Sequence, residues 1–81
     1  MMLRGVLARK LRRLRRAGRL SQEELAAQAG LNRNYVGMIE REEHAATVDV
    51  LEQLAAAFAI EPAELLQSGS KVGSSDQVLS K

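Results

Sequence analysis

The stretch SQEELAAQAGLNRNYVGMIE, Ser21 to Glu40, constrains the chain more than any other, because it sets two short helices at close quarters across a tight turn. Ser21 stands as an N-cap with Glu24 three residues on, the S-x-x-E capping box, and Glu23 and Glu24 favour the positive end of a helix dipole. Leu25, Ala26 and Ala29 give that helix its inner face. Gly30 follows where a left-handed residue is needed. Asn32 then caps a second helix, reaching about Arg41, whose Val36 and Ile39 lie three apart on one face. Its other residues do not look chosen for stability. It opens with Asn32, Arg33 and Asn34, carries the only tyrosine of the chain, Tyr35, and has Gly37 in its interior, which costs about 0.8 to 1 kcal/mol against alanine.

The flanks extend the helical reading. Leu3, Leu7, Leu11 and Leu14 keep one face of a helix from Leu3 to Ala17, a buried leucine stripe with Gly18 as the C-terminal cap residue. After Thr47, Leu51, Leu54, Ala55 and Phe58 follow the spacing of another helix. Pro62 opens a short fifth, with Leu65 and Leu66. The expectation is an all-α chain of five short helices. Residues 1–67 form its domain, and residues 68–81, rich in Ser and Gly, form a flexible tail.

Composition narrows the function. Of 81 residues none is cysteine and one is histidine, His44, so neither a thiolate site nor a His cluster for metal is expected. That composition suits a reducing cytoplasm. No apolar run approaches the ~20 residues of a membrane span. Ser21 has no base beside it in the pattern and no glycine run cradles a nucleotide phosphate, which leaves no catalytic residue and no cofactor site to name. Charge is divided along the chain. Residues 1–41 carry ten Lys/Arg against three Glu, a net +7, and residues 42–81 carry two Lys against seven Asp/Glu, a net −5. Eight basic residues precede the first acid, Glu23, a candidate phosphate footprint or a solvated helix face. An Arg-rich start also fits a targeting or membrane-surface helix, but the leucine spacing runs unbroken into the next motif.

Two helices joined through Gly30 and sealed by Leu25, Leu31, Val36 and Ile39 make a helix-turn-helix. LRRLRRAGRLSQEELAAQAGLNRNYVGMIERE followed by TVDVLEQLAAAFAIEPAELL resembles the lambda-repressor and Cro-like helix-turn-helix family from Leu3 to Leu66. Within it, NRNYVGMIER is similar to the recognition segment of controller proteins of restriction-modification operons. Two positions depart from the pattern: Glu42 stands where the family has glycine, and Ala46 where it often has proline.

The resemblance implies a sequence-specific transcriptional regulator of double-stranded DNA with no enzymatic activity. In such a motif the start of the second helix enters the major groove. There Arg33 suits guanine, Asn34 suits adenine, and Met38, one turn on, suits a thymine methyl or a packing role. The family pattern places Gln22 on a backbone phosphate and the Tyr35 hydroxyl on the DNA backbone, with a half-buried packing ring as the other reading of Tyr35. Asn32 and Arg41 are further backbone candidates. Arg15 would pair with Glu40, fixing the first helix to the third. A homodimer reading an inverted repeat follows, with Ile60, Leu65 and Leu66 as interface residues unless burial within the monomer claims Leu65. For a controller, activation and autorepression of its own operon would involve RNA polymerase, with Glu42, Glu43 or Asp49 facing it. A phage-type repressor, an antitoxin and a helical adaptor without DNA binding are the alternatives.

Overall fold

The computed structural model describes residues 3–67, and the tail expected over residues 68–81 lies outside them. Four α-helices run in order: α1 (Leu3–Ala17), α2 (Gln22–Ala29), α3 (Arg33–Glu40) and α4 (Val48–Phe58). The expected fifth helix is instead a 3₁₀ turn, Pro62–Leu66. Five residues opening on proline are too few to build an α-helical ladder, and the segment closes with short-range bonds such as Glu64 N–H to the Glu61 carbonyl at 3.0 Å.

Each α-helix stops in the same way. Arg19, Gly30, Glu42 and Ala59 take φ between 57° and 72°, and the next residue donates its N–H to a carbonyl five positions back: Leu20 to Arg15, Leu31 to Ala26, Glu43 to Met38, Ile60 to Ala55. These are Schellman turns, which satisfy carbonyls the helix end would leave orphaned. Gly18 is therefore not the left-handed residue that ends α1; Arg19, one position later, is. The position that departs from the family at Glu42 is one that glycine would occupy without strain.

The core gathers Leu7 and Leu11 of α1, Leu25 of α2, Val36 and Ile39 of α3, Leu54 of α4 and Leu65 of the 3₁₀ turn. Burying such a side chain stabilises the fold by about 1.5 to 3 kcal/mol. Leu65 is 0% exposed. Its burial within the monomer withdraws it from the expected dimer surface, of whose candidates Ile60 and Leu66 are half-buried. The leucine stripe of α1 is buried only in its middle, because Leu3, at the helix start, is 60% exposed and Leu14 half-buried. On α4 the inner face is rotated slightly from the expected one: Val50 is buried where Leu51 is only half so. Thr47 caps this helix, its hydroxyl accepting from the Val50 N–H at 3.2 Å. α1 packs on α3 and on the 3₁₀ turn, and α4 packs on α2 and on the 3₁₀ turn. This leaves the opening turn of α3 free to face outward.

Candidate nucleic-acid interface

The helix pair α2–α3 is fixed at both of its starts and at its turn. Ser21 Oγ accepts from the Glu24 N–H at 3.0 Å and Glu24 Oε1 accepts from the Ser21 N–H at 2.8 Å, closing the capping box. Gly30, at φ 72°, reverses the chain. Gln53 of α4 donates to the Ala29 carbonyl at 3.1 Å and so holds the turn from below. Asn32 Oδ1 accepts from the Asn34 N–H at 2.7 Å. That cap occupies the acceptor end of Asn32 and leaves its amide N–H groups, the end that suits a phosphate, uncommitted by the cap.

Behind α3 lies a buried ionic junction. The Glu40 carboxylate, 4% exposed, accepts from Arg15 Nε at 2.7 Å, from the second Arg15 nitrogen at 3.1 Å and from Gln22 Nε2 at 3.1 Å. Arg15 also donates to the Leu20 carbonyl at 2.9 Å. Arg12 donates to the Glu40 backbone carbonyl. One residue of α3 thus ties α1, α2 and the α1–α2 turn together. Burying ions costs several kcal/mol, so the junction is better understood as fixing the orientation of α3 than as adding stability.

On the outward side, Arg33 and Asn34 are exposed in the first turn of α3, and Met38, one turn further, is half-buried. Tyr35 is half-buried against the core, with its ring edge-on to His44, centroids 5.1 Å apart at 68°. Arg41 is engaged within the chain: its guanidinium meets Glu43 at 3.0 and 3.2 Å. This hydrogen bond lowers the Glu43 carboxyl below its ordinary range and raises Arg41, although both groups are open to solvent. Gly37 faces these groups rather than a helix backbone. A Cβ there would lie 3.0 Å from an Arg41 terminal nitrogen and 3.6 Å from Gln22 Oε1.

The structure therefore brings Gln22, Arg41, Arg15 and Glu40 together around the second half of α3, and sets Arg33 and Asn34 apart at its first turn. Ile60 and Leu66 belong to a different face. Two residues escaped the sequence reading. Arg12 carries a signal, since it lies three before Arg15 on the same helix face; Gln53 carries none, because its role depends on where α4 crosses the turn. Among the described residues no group of His, Cys, Asp and Glu could hold a metal ion, and no helix is long and apolar enough to cross a membrane.

This geometry has counterparts. The family described as helix-turn-helix matches residues 11–65. The crystal structure of the restriction-modification controller protein C.AhdI from Aeromonas hydrophila is 44% identical, superposes with a TM-score of 0.73, and is matched over 76% of this chain and 94% of its own. The Neisseria hypothetical transcription factor of Neisseria meningitidis is 42% identical over 64 residues, 79% of this chain and 60% of that protein. The control protein C.SmaI of Serratia marcescens is 41% identical over 56 residues, 69% of this chain and 67% of that one. The chain thus spans about three fifths to two thirds of the length of these last two relatives.

Proposed function

Because this chain belongs to the helix-turn-helix family, we propose that it is a non-enzymatic, sequence-specific regulator of transcription that binds double-stranded DNA. The observation that carries this reading is the placement of Arg33 and Asn34: exposed side chains with bidentate reach, on the first turn of a helix whose rear is fixed to two others through Glu40. A helix so held keeps its base-reading groups in register, and the N-terminal part of the second helix is the part that meets base edges. Asn32, Tyr35, Gln22 and Arg41 flank it as backbone ligands, and Met38 completes the reading face.

One such motif contacts few base pairs. We therefore read residues 1–67 as a DNA-binding and dimerising domain acting in the cytoplasm as a homodimer, on an inverted repeat with half-sites ~34 to 36 Å apart. The finer reading is control of a restriction-modification operon with activation and autorepression; the likeness to C.AhdI, a restriction-modification controller protein, supports its restriction-modification part. Exposed Glu42, Glu43 and Asp49 are the residues such an activator would turn to RNA polymerase.

Selection of bound sequences from random duplex DNA by the purified chain, at near-physiological salt, tests the reading. An inverted repeat is the expected product. Recovery of no sequence above background would remove sequence-specific regulation and leave only electrostatic attraction by the basic half.

A further inference from the structure

Glycine in the interior of α3 works against helix formation, and its backbone is ordinary right-handed helix, so conformational freedom does not explain it. What surrounds it does. Both oxygens of the Glu40 carboxylate accept hydrogen bonds from Arg15. Gln22 must face it with its Nε2, and does so at 3.1 Å. That contact sends the other end of the amide, the acceptor Oε1, toward Gly37. Onto the same spot comes a terminal nitrogen of Arg41, 3.0 Å from where a Cβ would stand, while the other edge of the guanidinium faces Glu43. Cation and acceptor thus converge over a position that has no side chain.

We propose that Gly37 is a positioning residue: its missing side chain makes a seat in which the Arg41 guanidinium lies beside Gln22, aimed at one phosphate of the DNA backbone. Glu40 is the foundation of the seat, since its contact with Nε2 turns the Oε1 end of Gln22 toward Gly37. The inference rests on the DNA-binding reading above and adds to it the reason for Gly37. Alanine at this position forms helix more readily than glycine, and its Cβ would crowd only the flexible end of Arg41, at 3.0 Å, while touching Gln22 Oε1 at an ordinary contact distance of 3.6 Å. The substitution therefore separates binding from folding.

Two measurements test it, one of them without DNA. In a Glu43→Ala chain, where the ion pair no longer holds Arg41, the order parameter of the Arg41 Nε–H bond should stay above that of exposed Arg33. Adding Gly37→Ala should bring it down to the Arg33 value; an order parameter that Gly37→Ala leaves unchanged overturns the seat. With DNA, Gly37→Ala should weaken binding to all sequences alike and flatten the dependence of log K on log salt by about 0.9 per protomer, about 1.8 for the homodimer, the loss of one phosphate contact in each half-site. Its melting temperature should be equal or higher. In an Arg41→Ala background the same substitution should do nothing more. A further loss in that background would show that the Cβ meets the DNA itself and would overturn the proposal. A wild-type chain that binds no DNA while the order parameters behave as expected would instead remove the regulatory reading and leave the seat as a structural fact.

Discussion

Arg15 on α1 and Glu40 at the end of α3 meet through two nitrogens, at 2.7 and 3.1 Å, in a site where Glu40 is 4% exposed and Arg15 15%. Removing the cation strands a buried carboxylate with the Gln22 amide as its remaining donor, since Arg12 bonds the Glu40 backbone carbonyl instead. Arg15→Met should therefore destabilise the fold by about 3 kcal/mol, the lower end for breaking a buried pair, because Arg15 retains some solvent. Urea unfolding of Arg15→Met, of Glu40→Leu and of the two combined would check this. The double variant should recover part of the loss; if it is as unstable as the two single losses added, the pair is not coupled and the junction is misassigned.

Glu42 offers a change in the opposite direction. It holds φ 64°, a conformation that costs a residue with a Cβ roughly 1 to 2 kcal/mol, whereas glycine adopts it freely at the expense of about 0.4 to 1 kcal/mol of added unfolded-state entropy. Glu42→Gly should stabilise the chain by about 0.5 to 1 kcal/mol net. Its carboxylate lies against the first turn of α1, 3.4 Å from where a Cβ on Gly5 would be. Should Glu42→Gly lower the urea midpoint, that side-chain contact outweighs the strain.

The first turn of α3 and the start of α2 predict different losses of binding. Arg33→Ala should cost about 1 to 3 kcal/mol per half-site at the preferred sequence and relax preference at one base position in each half-site. Gln22→Ala should weaken binding to every sequence by a similar factor. Competition assays on a panel of single-base operator variants separate the two outcomes. An Arg33→Ala protein that keeps its full discrimination would move base reading away from Arg33, with Asn34 and Met38 the next residues to replace.

How far these features were legible in the sequence depends on their range. Caps within one helical turn were visible: Ser21 with Glu24, Asn32, and Thr47 each lie within three residues of the N–H they accept. The helix ends were visible only where glycine marks them. Gly30 announces its left-handed turn, but Arg19, Glu42 and Ala59 adopt the same turn with a side chain. The apolar residue that follows it in three of the four cases, Leu20, Leu31 or Ile60, is the signal that glycine counting misses. Helical spacing found the core of α1 but could not say that the partners end before Leu3. The Arg15–Glu40 pairing came from family likeness, since no local rule joins residues so far apart. The seat over Gly37 was illegible because it depends on α2 and α3 meeting at one angle.

Ile60 and Leu66 are the residues we propose for the dimer contact, with Leu65 in the core. Leu66 lines an open apolar groove with Leu3, Leu7, Ala46 and Leu51, while Ile60 follows the left-handed end of α4. Leu66→Asp would place a carboxylate in apolar surroundings at any interface built there, and a charge buried without a partner is strongly disfavoured. Sedimentation should show a monomer at concentrations where the parent is dimeric. Because Leu66 also packs partly on the core, Ile60→Lys provides the companion variant, and circular dichroism establishes that each still folds. Helical, folded variants that both sediment as the parent does would place the two-fold contact elsewhere. A monomer that keeps base preference on a single half-site but loses affinity for the full repeat would tie the 3₁₀ turn and the end of α4 to operator recognition through dimer geometry alone.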